Sequence, residues 1–257
     1  SRTIHRSTGR RVAAMVPVYT LGVPADMDRL VRIARTHGIK IVADAAAALG
    51  ARYQGRPVGQ LHADLSVISF NGNKTVTTGG GGAVISTDLE LIKLIRHMTT
   101  TARVGGEYRH DRVGYNYRMT NLQAAVGCAQ MERLADFLAA KQRIRRRYDE
   151  SFSGIAGLST FPVPRWAESA CWLSGIVVKP PALPAETIRR RLIEAGIEAR
   201  PFWVPMHRQP PYLDAPASPQ PVTESIWEHV VVLPSSSHLS AADQTRVIAT
   251  VTDAVRS

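Results

Sequence analysis

The chain has little cysteine, no long apolar run and a shortage of acidic residues. Cys128 and Cys171 are the only cysteines in 257 residues. Two excludes a disulfide framework and suits a reducing compartment, so the expected location is cytoplasmic. Neither they nor the eight histidines fall into H-E-x-x-H or paired C-x-x-C spacing, so no metal site is expected. No run approaches the ~18 apolar residues of a membrane span. The basic start, Ser1 to Arg11, is not followed by an apolar h-region with a cleavage site, so no signal peptide is expected. Internal repeats and long low-complexity tracts are also lacking.

Asp and Glu number 21 against 32 Lys and Arg, giving a net charge of +11. That surplus suits nucleic acid or an anionic small substrate. Aromatic-rich basic clusters and DNA-reading motifs are missing, which argues against nucleic acid. The densest basic run, Lys141 to Arg147, lies in a helical pattern with Leu134, Phe137, Leu138, Ile144 and Tyr148 on one face. The arginines are therefore expected on a solvated face.

What is present centres on Leu65 to Ser86. Leu65, Val67, Ile68 and Phe70 read as a buried strand, and Val84 and Ile85 begin another. Between them lie Lys74 and four consecutive glycines, Gly79 to Gly82. Glycines allow backbone angles closed to other residues and let the chain approach a ligand. The arrangement is not a P-loop, because the glycines follow the lysine, and it does not spell G-x-G-x-x-G before a helix. Two readings of Lys74 stay open: an exposed loop lysine, or a lysine that holds pyridoxal phosphate (PLP). The second needs a carboxylate for the pyridinium nitrogen. Asp44 ends the β-branched run Gly38 to Ala43; alone it reads first as a helix N-cap or turn aspartate before Ala45 to Ala48, and together with Lys74 and Ser69 it favours PLP. If both strands share a sheet, Asp44 and Lys74 open onto one crevice at the carboxyl ends; Ser69 at its strand end reads by itself as structural.

Around this centre, Val12 to Val18 reads as a buried strand and Asp26 to His37 as a helix stopped by Gly38. With the strand ending at Asp44 they make a βαβ unit, implying a mainly parallel sheet. Asp88 to Met98 reads as a helix with Leu91, Ile92, Ile95 and Met98 inward. Gly114 to Met119 opens a long helical region. Past residue 150 the punctuation changes, at Ser151 to Gly157 and Pro162 to Pro164. A strand from Trp172 to Val178, a helix from Pro184 to Ala195 and a capping box at Ser240 to Asp243 follow. The expectation is a large domain over 1–150 and a small α+β domain over 151–257.

The chain resembles the DegT/DnrJ/EryC1/StrS sugar aminotransferases, fold type I PLP enzymes, most closely a LegC-like branch. The motifs are Gly22-Val-Pro-Ala-Asp-Met-Asp28, Ala43-Asp-Ala-Ala-Ala-Ala-Leu-Gly50, Ser69-Phe-Asn-Gly-Asn-Lys74, Thr77-Thr-Gly-Gly-Gly-Gly82 and Val113-Gly-Tyr-Asn-Tyr-Arg-Met119. They occur in order from about Thr8 onward. The resemblance implies that Lys74 carries PLP and is the catalytic residue. It further implies that Asp44 faces the ring nitrogen and Ser69 the phosphate, and that Asn116 reaches the phosphate in a neighbouring subunit across a homodimer interface. Asn116 by itself reads equally as a helix cap; Arg118 could pair with a core carboxylate or contact substrate, the structural role being the one expected. Arg200 and His207 are expected on the sugar-nucleotide side. The implied reaction moves an amino group, commonly from glutamate, to a nucleotide-linked keto-deoxy sugar. Members usually carry well over a hundred residues ahead of this point, so the chain reads as an N-terminally truncated large domain. A non-catalytic interaction or regulatory subunit is the alternative. Ala47, Gly80, Ala43 and Tyr19 depart from residues common in the wider family.

Overall fold

A computed structural model describes residues 3–256; Ser1, Arg2 and Ser257 lie outside the described residues. The chain is mixed α/β and divides into two compact units. The first holds the residues up to Phe137 together with Pro164–Trp172, and the second holds Leu138–Val163 with the residues from Leu173 on.

The first unit is built on a four-stranded sheet. Its strands are β1 (Ala14–Met15), β2 (Lys40–Asp44), β3 (Leu65–Ser69) and β4 (Gly82–Ile85), ordered as in the chain. β1, β2 and β3 are parallel, and β4 is antiparallel to β3. The crossover from β1 to β2 is α1 (Met27–Thr36). Asp26 caps it by accepting from the Arg29 amide at 3.4 Å, and Gly38 follows its end with φ +61°. The sequence spacing predicts an inward stripe of Met27, Leu30, Val31 and Ala34; Met27, Val31 and Ala34 are buried and Leu30 is half-buried. The expected buried strand over Val12 to Val18 is only partly formed. β1 is two residues long and pairs on one side alone, leaving Val16 and Val18 more than half exposed. An edge strand has a neighbour to cover it on one side only.

Between β2 and β3 the chain makes a hairpin, Arg52–Tyr53 with Arg56–Pro57. Ala167–Glu168 adds to it as a third antiparallel strand. The Ala170 amide also donates to the Gly22 carbonyl at 3.0 Å. These contacts hold the returning segment in the first unit. After β4 come α2 (Leu89–Thr99), capped by Asp88, and α3 (Asn121–Glu132), opened by a Thr120–Gln123 capping box. The expected helix from Gly114 onward therefore starts at Asn121, because residues 114–120 are not helical and Asn116 bridges to Thr100. α4 (Leu134–Phe152) follows.

The second unit has an antiparallel sheet of β5 (Leu158–Thr160), β6 (Ser174–Val178), β7 (Arg200–Pro201) and β8 (Val230–Leu233), ordered β7-β8-β6-β5. The helices α5 (Ala185–Glu194) and α6 (Ala241–Arg256) accompany it. Its core joins Tyr148, Phe152, Ile176, Ile188, Leu192, Val231 and Val251. The basic run of α4 is not the uniformly solvated face expected. Lys141 and Arg145 are buried. Lys141 donates to the Ser235 carbonyl at 2.9 Å; Arg145 reaches Asp149 at 2.7 Å and also the Phe161 carbonyl. Long basic side chains bury their stems and bring charged heads to carbonyl acceptors, so part of the positive surplus is structural.

Ile188 is fully buried in that core. Ile188→Ala should cost about 2–5 kcal/mol, read as a lowered midpoint in urea unfolding followed by circular dichroism.

Candidate active site

The site is assembled at the carboxyl edge of the parallel strands. In the β2–β3 register Val42 faces Leu65 and Asp44 faces Val67. Asp44 and Ser69, the last residues of β2 and β3, thus lie at the same edge of the sheet. Lys74 follows five residues after Ser69. The connecting loop is held tightly: Ser69 Oγ accepts from the Asn71 amide at 3.2 Å, and the Lys74 amide donates to the Asn71 carbonyl at 3.0 Å. The Phe70 amide donates to the Gly81 carbonyl at 3.0 Å, and the Thr78 amide to the Phe70 carbonyl at 2.9 Å.

The glycine run has distinct jobs by position. Gly79 and Gly81 take φ of +78° and +88°, the left-handed region that other residues avoid. Gly82 has an ordinary φ, but a Cβ there would run into the Ile68 carbonyl. Glycine at 82 therefore lets β4 lie against β3.

A cavity of about 1050 Å³ opens at this edge. Asp44, Ser69, Gly81 and Gly82 line it from the sheet side; Ile92, Ile95 and Arg96 from α2; and Tyr117, Arg118 and Met119 from the segment before α3. Asp44 Oδ1 accepts from the Ala46 amide at 3.0 Å, so the turn role and the place in the cavity coexist. No helix follows Asp44, and that part of its helix-cap reading is excluded.

Lys74 is partly buried, and burial pulls its amine below the ordinary lysine range, against the nearby charge of Asp44. Among the described residues no carboxylate lies within ion-pairing distance of it. Its Nζ instead sits 3.7 Å from the centre of the Trp172 ring. The Trp172 Nε1 donates to the carbonyl of Asn73 at 2.8 Å. A more easily neutralised amine, a carboxylate and a hydroxyl at one strand edge fit the donor set that PLP requires.

The other sequence candidates have partners of their own or stand differently from what was expected. Asn116 is exposed and bridges to Thr100; Thr120 caps α3, so Asn116 is not its cap. Arg118 faces the cavity and, among the described residues, forms no ion pair, contrary to the structural pairing expected. Arg200 and His207 belong to the second unit. There Arg200 pairs with Glu198 at 2.5 Å and His207 with Glu224 at 2.5 Å. Sequence reasoning missed Trp172, taken as the start of a strand, and Arg96. No local pattern marks a contact between residues 74 and 172.

An aspartate at the carboxyl end of one parallel strand and a partly buried lysine just past the end of its neighbour lie where open α/β folds bind their ligands. The chain belongs to the DegT/DnrJ/EryC1/StrS aminotransferase family, whose model matches residues 1–252. It is 34% identical over 242 residues to a GDP-perosamine synthase of Caulobacter vibrioides, covering 93% of this chain and 65% of that protein. It is 32% identical over 264 residues to a dTDP-3-amino-3,4,6-trideoxy-alpha-D-glucose transaminase of Streptomyces venezuelae, covering 98% of this chain and 65% of that one. The chain thus spans less than two thirds of these relatives. Among solved structures, a DegT DnrJ EryC1 StrS aminotransferase from Brucella abortus superposes with a TM-score of 0.89 at 26% identity, covering 98% of this chain and 67% of that one. DesV of S. venezuelae gives 0.84 at 30% identity, covering 94% and 64%.

The glycine geometry is testable by three single substitutions. Gly82→Ala should destabilise by about 1–3 kcal/mol through overpacking, and Gly79→Ala by about 1–2 kcal/mol through its positive φ. Gly72→Ala, where nothing lies within 4 Å of the added carbon and φ is ordinary, should melt like the parent in a thermal scan.

Proposed function

We propose that the chain is the greater part of a PLP-dependent aminotransferase acting on a nucleotide-linked keto-deoxy sugar, with Lys74 as its catalytic residue. The observation that carries this reading is the parallel register that sets Asp44 and Ser69 at one edge, with Lys74 just beyond it. The family match and the relatives named for GDP- and dTDP-linked amino sugars support the substrate class.

Four residues would hold the cofactor: Lys74 through its amine, Asp44 facing the ring nitrogen, Ser69 facing the phosphate, and Asn116 offered to the phosphate in a neighbouring subunit. When bound, PLP supplies an electron sink that stabilises negative charge at the substrate carbon. Burial makes the Lys74 amine easier to neutralise; a neutral amine can attack a carbonyl and, once released, accept and return a proton at Nζ. Asp44 carries the negative charge that would keep a pyridine nitrogen protonated. Arg200 and His207 are the proposed contacts to the sugar nucleotide. A cytoplasmic homodimer with the site at its interface suits the exposure of Asn116 and of α3, where Leu122 and Val126 are exposed and no residue is buried.

The test is incubation with PLP, borohydride reduction and mass spectrometry of the Lys74 peptide, beside an amino-transfer assay from glutamate to GDP- and dTDP-linked keto sugars. The parent chain should carry the reduced cofactor on Lys74. Lys74→Ala should lose that label and reduce transfer by more than about 10²-fold. Asp44→Asn should keep the label and lose transfer. Full transfer by Lys74→Ala would sink the assignment.

A further inference from the structure

Trp172 meets Lys74 from 98 positions further along the chain. Trp172 is 6% exposed, and the centre of its ring lies 3.7 Å from Nζ. The same side chain is tied by Nε1 to the carbonyl of Asn73, the residue directly before the lysine, at 2.8 Å. The ring is therefore anchored to the loop that carries the amine.

The segment that delivers the ring is itself fixed. Ala167–Glu168 pairs with the Arg52–Tyr53 strand, and the Gln54 amide donates to the Trp166 carbonyl at 2.7 Å. Ala170 is fully buried. A side chain on Gly22 would come within 3.1 Å of Ala170 Cβ and 2.7 Å of the Ala47 carbonyl, so the two strands of chain are closely apposed there. Cys171 takes φ +49°, a conformation that costs free energy for a non-glycine residue and persists only when its surroundings enforce it. The Cys171 amide donates to Ser169 Oγ at 3.0 Å, which helps to hold that turn. Immediately after it comes Trp172.

We propose that Trp172 is a positioning residue for Lys74, its indole face seating the protonated amine beside Asp44 and its Nε1 locking that seat to the lysine loop. A cation over an indole face is attracted by the ring quadrupole, most strongly for tryptophan and more so where water is excluded. The attraction acts on the charged amine and vanishes for the neutral one. Trp172 therefore holds charge on Lys74 together with Asp44, while burial opposes both. Asp44 is the charged group that acts on Lys74 besides the ring. The seat gives the resting amine one defined place and releases it on deprotonation.

The interest of this seat rests on the reading of Lys74 as the catalytic lysine, but its test needs no cofactor. The rate of acetylation by dilute acetic anhydride is measured against pH on the intact chain, with the Lys74 peptide quantified by mass spectrometry and the exposed Lys93 as internal reference. Trp172→Leu should move the Lys74 midpoint down by about one pH unit. Trp172→Phe, which keeps a weaker ring face and loses the Nε1 bond, should move it by less. A role in packing alone would raise the plateau rate through greater access and, by relieving the burial of the amine, leave the midpoint unmoved or raise it. An unmoved or raised midpoint in a folded Trp172→Leu protein overturns the proposal. If the leucine variant fails to fold, an unmoved or raised midpoint in Trp172→Phe overturns it instead. Loss of PLP labelling with the shift intact would count against the cofactor reading and leave the seat standing.

Discussion

The parallel pairing of β2 with β3 is the constraint on which the site depends. A sheet of that kind requires a connection that returns to the same end, and strands so connected finish together. Asp44 and Ser69 finish those strands, so their proximity is a property of the register before any side chain chooses a rotamer. A slip by one residue would turn Asp44 to the opposite face. The buried side chains of Ile41, Ala43 and Ile68 resist that slip because it would bring them out of the core. The hydrophobic pattern that makes the sheet is thus also what aims the carboxylate.

Much of this was legible in the sequence, and what was not has a common cause. α1 showed its start at Asp26, its stripe at Met27, Leu30, Val31 and Ala34 and its stop at Gly38, all within one window of thirteen residues. β2 and β3 showed as short β-branched runs, and Asp44 and Lys74 followed from their ends. Local patterns fail where the deciding neighbour is remote. Trp172 looked like the first residue of a strand because nothing near it names Asn73 as its hydrogen-bond acceptor. β1 looked buried because alternation alone does not say whether a strand has one neighbour or two.

The positive charge of the chain shows the same division. Helical periodicity placed the α4 cations on a polar face, and for Arg146, which is exposed, that holds. It could not show that Lys141 and Arg145 would find carbonyl oxygens inside the unit. Arg147 reaches the Ala241 carbonyl at 2.8 Å and Thr245 Oγ1 at 2.6 Å, joining α4 to α6. These residues act as long apolar stems with donors at their tips. A count of net charge therefore overstates the charge that this chain offers to a partner.

The path of the chain crosses between the two units three times, after Phe137, Val163 and Trp172. During synthesis the first unit cannot be completed when its sheet has emerged, since Ala167–Glu168 and the ring behind Lys74 are still unmade. Part of the second unit must be polymerised before the first can close over its lysine. The lysine loop therefore emerges without the ring that packs on it, and its final seating waits on a contact of long sequence separation, the kind that slows folding.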